Sequence, residues 1–122
     1  MTNQKTNQQN KKIKLLWVSD YNVPTGYGEV SENILHRLNP EIYDIHVLAC
    51  NYNGLRPVAH PSHISVWGCQ SAYAINEIQS VFDEVMPDVL FTLNDGYVMP
   101  MYHSLLNKRL DKCKWVSYVV FD

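Results

Sequence analysis

Two glycines mark the stretch of this sequence best suited to chemistry. Gly26 and Gly28 lie in a turn between the apolar run 13–18 and a segment whose apolar residues, from Val30 onward, recur at helical spacing. The first turn of a helix presents unpaired N–H groups and a positive dipole end, so it can hold an anion such as a phosphate. Glycine lets the backbone approach a ligand closely, but it also shapes sharp turns. Both interpretations stay open: the glycines contact a ligand, or they only shape the turn.

This turn does not match the common nucleotide-binding motifs. A dinucleotide fingerprint requires a third glycine where Ser31 stands, and an acidic residue at the end of the second strand. That strand is predicted to end at Cys50 and Asn51, without a carboxylate. No Gly-Lys-Ser/Thr follows the turn, as a Walker motif would need. The sequence therefore argues against NAD binding and against a Walker-type nucleotide site.

Three carboxylates form a second group of candidates. Asp20, Asp95 and Asp122 each stand at or just after the end of a predicted strand. If the strands are parallel, these ends meet at one edge of the sheet, where the three side chains could converge. One of them could act as a general base, or they could simply cap turns. The sequence leaves both roles open.

Histidines and cysteines give weaker signals. His60 and His63 stand three residues apart, but no nearby cysteine or carboxylate pair completes a metal site, so we interpret them as loop residues. Cys50 and Cys69 fall at the ends of two predicted strands and could be neighbours. We interpret them as small core residues rather than as a redox pair. No metal site is predicted.

The composition of the chain limits the classes of protein to which it can belong. With 122 residues, 46% of them hydrophobic and 18% charged, the chain is long enough for one globular domain with a core. A formal net charge of -2 argues against a protein that binds nucleic acid or anionic membranes. Three widely spaced cysteines, with no signal peptide and no apolar membrane span, favour the reducing cytoplasm. The polar segment 1–12 is expected to be disordered, and 13–122 to form the single domain.

Apolar runs alternate with amphipathic segments along this domain. Strands are predicted at 14–19, 43–50, 63–68, 88–93 and 115–121. Helices are predicted at 27–38, at 71–85 with Ser71 as the N-cap, and at 98–107. This alternation predicts right-handed crossovers and an α/β, Rossmann-like parallel sheet of order 3-2-1-4-5, with helices on both faces. Ligands bind beyond the carboxyl ends of the strands in such sheets, and the polar and glycine residues of this chain concentrate there.

Four stretches, taken in order, resemble a known family. They are the first strand 14–20, the glycine turn and first helix 25–35, the Pro-Asp-Val-Leu-Phe strand 87–95, and the last strand 115–122. They look like the N-terminal half of a retaining GT-B glycosyltransferase. Within that class they are most similar to glycosyltransferase family 4. That family uses nucleotide-sugar donors and two Rossmann-like domains, so the resemblance implies a GT-B N-terminal domain.

The resemblance also implies site residues. The family's glycine turn lies against the donor diphosphate and the reacting sugar, and the ends of its fourth and fifth strands line the acceptor side. Carried over position by position, it implies nucleotide-sugar contacts for Gly26, Tyr27, Gly28 and Asn94, and catalytic roles for Asp95 and Asp122. The nucleotide sugar would be a co-substrate, and no other cofactor is implied.

The chain departs from the family's pattern in one respect, the second domain. In that family the second domain supplies most of the contacts to the nucleotide-sugar donor. This sequence ends before the family's first domain is complete, so we expect a truncated domain that is inactive alone. The alternatives are a binding module for a nucleotide or phosphorylated ligand, and a protein-interaction module. An uncovered carboxyl edge would favour a homodimer or docking of the missing domain. The side chains predicted to be exposed there are Tyr21, Val23, Tyr27, Tyr97, Val98, Met99 and Tyr102.

Overall fold

The structure is a computed structural model that describes residues 11–52 and 60–119. Several sequence predictions lie outside these ranges. They are the disorder of residues 1–10, the Asn53-Gly54 part of the turn after the second strand, and the position of Asp122 at the end of the last strand.

Five strands form one sheet in the order β3-β2-β1-β4-β5. Every neighbouring pair is parallel, so the predicted α/β fold and strand order are confirmed. Residue pairs such as Trp17–Val47 and Trp17–Phe91 fix the register of the central strands. The strands are β1 Ile13–Asp20, β2 Tyr43–Cys50, β3 Ile64–Gly68, β4 Val89–Leu93 and β5 Lys114–Tyr118.

The central strand β1 is buried on both faces, as its continuous apolar sequence requires. Leu16 and Val18 point into one core cluster, while Leu15 and Trp17 point into the other. The Trp17 ring stacks on Phe91 with 4.2 Å between centroids. Its indole N–H donates to the Ser31 hydroxyl at 2.9 Å. Both layers of the domain are therefore anchored on β1.

Helices cover both faces of the sheet, which gives the Rossmann-like layering that the sequence predicted. Helix α1, Gly26–Leu35, packs on the face of Leu15 and Trp17. Helices α2, Ile78–Val85, and α3, Met99–Leu106, pack on the other face. Short 3-10 helices at Gly96–Val98 and Asn107–Lys112 flank α3. Within the described part of the chain, no helix is both long and apolar enough to cross a membrane.

The predicted start of the second helix was wrong. Helix α2 begins at Ile78, about two turns after the predicted start at Ser71. Ala74 has a φ of 57°, a left-handed conformation that an α-helix cannot contain. The Ser71 hydroxyl does accept the Ala74 N–H at 3.1 Å, but it closes an isolated turn. Residues 71–77 therefore form a loop over the carboxyl edge of the sheet.

The predicted exposed patch at the carboxyl edge was also wrong. Tyr21 and Tyr102 are buried, as are Val23 and Val98, and Tyr97 alone of the predicted set is highly exposed, at 69%. Exposed apolar side chains lie instead on the open side of α1 and on the neighbouring edge strand. We call this surface the β5 flank, and it consists of Val30, Ile34, Val116 and Tyr118.

Candidate functional site

The turn between β1 and α1 is held by a chain of side-chain hydrogen bonds. Thr25 is the N-cap of α1, and its hydroxyl oxygen accepts the Gly28 N–H at 3.0 Å. The same hydroxyl donates to Asp20 Oδ2 at 2.7 Å, and Asn51 Nδ2 donates to Asp20 Oδ1 at 2.8 Å. Asp20 is only 6% exposed. Asp20 was predicted either to act as a general base or to cap a turn. In the structure it caps the turn and fixes it to the end of β2.

The two glycines of this turn differ in their surroundings. A Cβ atom on Gly28 would lie 2.4 Å from the Val23 carbonyl oxygen, a distance at which the backbone would have to move. A Cβ atom on Gly26 would have no neighbour within 4 Å. Gly28 is therefore needed by the turn itself, whereas Gly26 borders open space at the beginning of α1.

Asp95 is the centre of a cluster of tyrosines at the carboxyl end of β4. Tyr27 donates its hydroxyl to Asp95 Oδ1 at 3.0 Å, and Tyr73 donates to Oδ2 at 2.5 Å. The Tyr97 hydroxyl contacts that of Tyr73. Because the one proton of Tyr73 goes to Asp95, Tyr97 must be the donor in this contact. We call these four residues the Asp95 cluster.

The hydrogen bond to Asp95 keeps the Tyr73 phenol protonated. The pKa of Tyr73 is raised, first by its hydrogen bond to Asp95 and then by its contact with Tyr97. A protonated phenol is a donor, and an ionised carboxylate is an acceptor. Each oxygen of the Asp95 carboxyl group therefore accepts a hydrogen bond from one phenol.

A second pair of residues supports this cluster from below. Asn94 is 1% exposed, and its Nδ2 donates to the Tyr102 hydroxyl at 2.9 Å. Tyr102 in turn donates to the backbone carbonyl of Tyr73 at 2.6 Å. Burial raises the pKa of Tyr102, so this hydroxyl keeps its proton. Asn94, for which a nucleotide-sugar contact was predicted, lies beneath the site and positions the loop that carries Tyr73.

Two cavities adjoin Gly26. One, of about 430 Å³, is lined by Thr25, Gly26, Tyr27, Val30, Leu93 and Tyr118. We call it the Tyr27–Tyr118 cleft, after the two aromatic rings on its walls. The other, of about 490 Å³, is more polar and is lined by Val23, Pro24, Thr25, Gly26, Glu29 and Glu32. Both lie at the carboxyl edge, where parallel sheets bind their ligands.

A larger cavity, of about 550 Å³, lies at the opposite edge of the sheet, between the end of α2 and the second 3-10 helix. Two of its charged side chains pair with each other, since Arg109 donates to the Asp83 carboxylate through two hydrogen bonds, of 2.7 and 3.0 Å. This pairing lowers the pKa of Asp83. We place the candidate site at the carboxyl edge, because Asp95 and its phenols lie there together.

The charge at the carboxyl edge is negative. Among the described residues that line the two cavities beside Gly26 there is no lysine or arginine, while Glu29 and Glu32 both contribute carboxylates. A helix N-terminus attracts anions, but two carboxylates within its first two turns oppose a phosphate. Ligands that donate hydrogen bonds suit this edge better than anions do.

The described residues contain no group of three or more histidine, cysteine or acidic side chains that could hold a metal ion. His60 Nδ1 lies 3.1 Å from the Pro61 carbonyl oxygen, in keeping with a loop residue.

Tyr27 and Asp95, both predicted from the sequence, are joined in the structure, whereas Tyr73 was not predicted. Tyr73 falls inside the helix predicted at 71–85, where a tyrosine carries no signal of a site. The left-handed Ala74 that follows it creates the loop, and the sequence gives no sign of that conformation. The predicted catalytic role of Asp122 lies outside the described residues and stays a prediction.

Comparisons of the chain with protein-family models, with curated proteins and with solved structures gave no match. The resemblance to GT-B glycosyltransferases therefore rests on the sequence motifs alone.

Proposed function

We propose that this chain is the acceptor-side N-terminal domain of a nucleotide-sugar-dependent glycosyltransferase. It would act together with a second domain that binds most of the donor. The observation that carries the proposal is the Asp95 cluster beside the Tyr27–Tyr118 cleft. A cytoplasmic location is part of the proposal.

The remaining lone-pair sites of the Asp95 carboxylate suit a sugar hydroxyl. An ionised carboxylate has about four lone-pair sites, and the phenols of Tyr27 and Tyr73 occupy two of them. A ligand hydroxyl that donates to a remaining site forms a charge-assisted bond, which is stronger than a neutral one. Asp95 can thereby orient an acceptor hydroxyl and take up its proton.

The cleft supplies the apolar half of sugar recognition. Tyr27 and Tyr118 line the cleft with aromatic side chains, and Leu93 and Val30 add apolar surface. Tyrosine combines an apolar face with a polar hydroxyl, which suits a ligand that is apolar on one side and hydroxylated at its rim. A neutral saccharide has this character, so the cleft fits the acceptor better than a diphosphate.

The alternative of a stand-alone module for nucleotides or phosphorylated ligands finds less support. The open space at Gly26 would admit a phosphate to the beginning of α1, but Glu29 and Glu32 line the adjacent cavity. A donor diphosphate beside Gly26 would need cations from elsewhere, which is the role that the resemblance assigns to the second domain. The predicted donor contacts of Gly26 and Tyr27 belong to that assembled state.

A binding panel tests the proposal. We would titrate the isolated chain, followed by NMR, with neutral mono- and disaccharides, with nucleotide sugars and with inorganic phosphate. We expect weak saccharide binding that perturbs the NMR signals of Tyr27 and Tyr118. The variant Asp95→Asn should lose about tenfold in saccharide affinity, since one charge-assisted bond is worth on the order of 1.5 kcal/mol or more. Glu29→Gln, on the outer side of α1, should bind saccharides as the wild type does.

Two outcomes would contradict the proposal. Binding of phosphate or nucleotide without any saccharide would favour the phosphate module, and no binding of either class at high concentration would favour an interaction role. We also expect no glycosyl transfer by the isolated chain, so turnover with any nucleotide sugar would contradict its dependence on a second domain.

A further inference from the structure

Two cysteines occupy matching positions on neighbouring strands. Cys50 is the last residue of β2, and Cys69 directly follows β3. Ala49 pairs with Gly68 in the parallel ladder, and the Cys69 N–H still donates to the Ala49 carbonyl at 2.9 Å. One residue further along each strand, Cys50 therefore stands opposite Cys69.

Their side chains point the same way. Both cysteines belong to the core cluster on the α2 and α3 face of the sheet. Neighbouring strands lie about 4.7–4.9 Å apart, which falls inside the Cα–Cα range of about 4.4–6.8 Å found in disulfides. No large backbone movement is needed to bring the two sulfur atoms into bonding distance.

The two thiols are chemically unequal. Cys69 is 7% exposed, and its Sγ lies 3.6 Å from the Ser71 hydroxyl, whereas Cys50 is fully buried. Contact with Cys50 lowers the pKa of Cys69, and contact with Cys69 and burial raise the pKa of Cys50. The thiolate is the reactive form of cysteine, so the more exposed Cys69 attacks first and Cys50 is left to resolve the mixed disulfide.

We propose that Cys50 and Cys69 form a reversible intramolecular disulfide when the chain meets a low-molecular-weight disulfide such as oxidised glutathione. The Cys69 thiolate attacks one sulfur of that disulfide, forming a mixed disulfide and releasing one glutathione thiolate. Cys50 then gives its proton to solvent and displaces the second glutathione thiolate. The chain loses two protons and two electrons, and one oxidised glutathione takes them up to become two reduced ones.

The position of this bridge ties it to the loop 71–77. The Tyr52 N–H donates to the Cys69 carbonyl at 2.7 Å, and the Asn51 N–H donates to the Ser71 carbonyl at 2.9 Å. A bond between the two sulfur atoms would fix the start of the loop that carries Tyr73 to the end of β2. This bridge does not depend on whether the chain binds a saccharide.

Thiol counting on the whole chain tests the inference. We would equilibrate the 122-residue protein in glutathione buffers of increasing oxidation, quench in acid, alkylate, and measure intact mass and linked peptides. We expect alkylation of Cys50 and Cys69 to be lost together, with a Cys50–Cys69 peptide, while Cys113 stays alkylated. The variant Cys113→Ser should form the same bridge and then contain no thiol that can be alkylated.

Single variants separate the roles of the two thiols. Cys50→Ser should accumulate a glutathione adduct on Cys69, because the resolving thiol is gone, whereas Cys69→Ser should leave Cys50 unmodified. Three alkylated thiols in fully oxidising buffer, a bridge that includes Cys113, or stable glutathione adducts on the wild type would overturn the inference. These wild-type readouts decide it even where a serine variant does not fold.

Discussion

Gly26 and Gly28 differ in what a methyl group would meet. At Gly28 it would collide with the Val23 backbone carbonyl, which cannot rotate away as a flexible side chain could. At Gly26 it would enter open space. Only Gly28 is therefore required to be glycine by the turn itself, and the sequence alone could not distinguish the two positions.

We expect Gly28→Ala to destabilise the protein by about 1–3 kcal/mol, the usual cost of inserting a methyl group into a packed site. Gly26→Ala is the matched control, and it should be neutral or slightly stabilising because alanine favours the helix. Denaturant unfolding of both variants measures the difference. Equal effects at the two positions would contradict the role given to the Val23 carbonyl.

The partial burial of His36 makes stability depend on pH. The Tyr21 hydroxyl lies 2.8 Å from His36 Nε2, and burial lowers the pKa of His36 from 6.5. The unfolded chain therefore binds a proton more readily than the folded one, so stability falls as pH drops below 6.5. Because the His36 pKa lies lower in the folded state, this loss stops once both states are protonated.

We expect His36→Gln to flatten the stability profile across this window, since glutamine cannot titrate. The measurement is the free energy of unfolding of both proteins at several pH values on either side of 6.5. The difference between the two profiles isolates His36 from the other titrating groups. A constant difference at all pH values would show that the His36 pKa is not lowered by folding.

At the scale of the elements, local conformation set the boundaries that the sequence did not reveal. The apolar stripe correctly predicted α2, but the helix starts late because Ala74 is left-handed. Alanine is a strong helix former, so only the tertiary structure could place it there. The bounds of the strands were predicted more closely, because apolar content alone delimits a strand. Strand β2, for example, matches its predicted bounds. Tyr73 was lost from the candidate site for the same reason that the helix start was misplaced.

The end of α2 offers a direct test of such local strain. Met86 follows the helix with a φ of 51°, and its side chain is 72% exposed. We expect Met86→Gly to stabilise the protein by about 0.5–1 kcal/mol, because glycine avoids the left-handed penalty of about 1–2 kcal/mol but loses more chain entropy. Met86→Ala keeps the penalty and should show no gain in denaturant unfolding. A loss of stability for Met86→Gly would mean that the methionine side chain contributes packing.

At the scale of the whole molecule, the sheet order followed from the alternation of strands and helices, but the exposed surface did not. Burial of Tyr21 and Tyr102 depends on hydrogen bonds to His36 and Asn94, which no pattern of spacing predicts. The apolar β5 flank arises because no described helix covers that part of the sheet. It also borders an edge strand, whose free backbone groups can pair with another chain.

We expect the β5 flank to mediate any self-association of the chain. The double variant Ile34→Lys and Val116→Lys should shift the protein towards monomer without a large loss of stability, because both side chains are already about 40% exposed. Met101→Lys, on the opposite face and 45% exposed, is the control and should leave association unchanged. Light scattering at several concentrations measures the degree of self-association. A wild type that stays monomeric at every concentration would rule out this role of the β5 flank.

The central place of β1 has a consequence for the order in which the protein can form during synthesis. The Lys14 N–H donates to the Asp88 carboxylate at 2.8 Å, across 74 residues of chain. At about 5–20 residues per second, a ribosome takes roughly 4–15 s to cover that distance. The layer on the α1 side, built largely from β1, α1 and β2, can close meanwhile. The opposite side of β1, with Leu16 and Val18, waits for α2 and α3, so the nascent chain should need chaperone protection chiefly on that side.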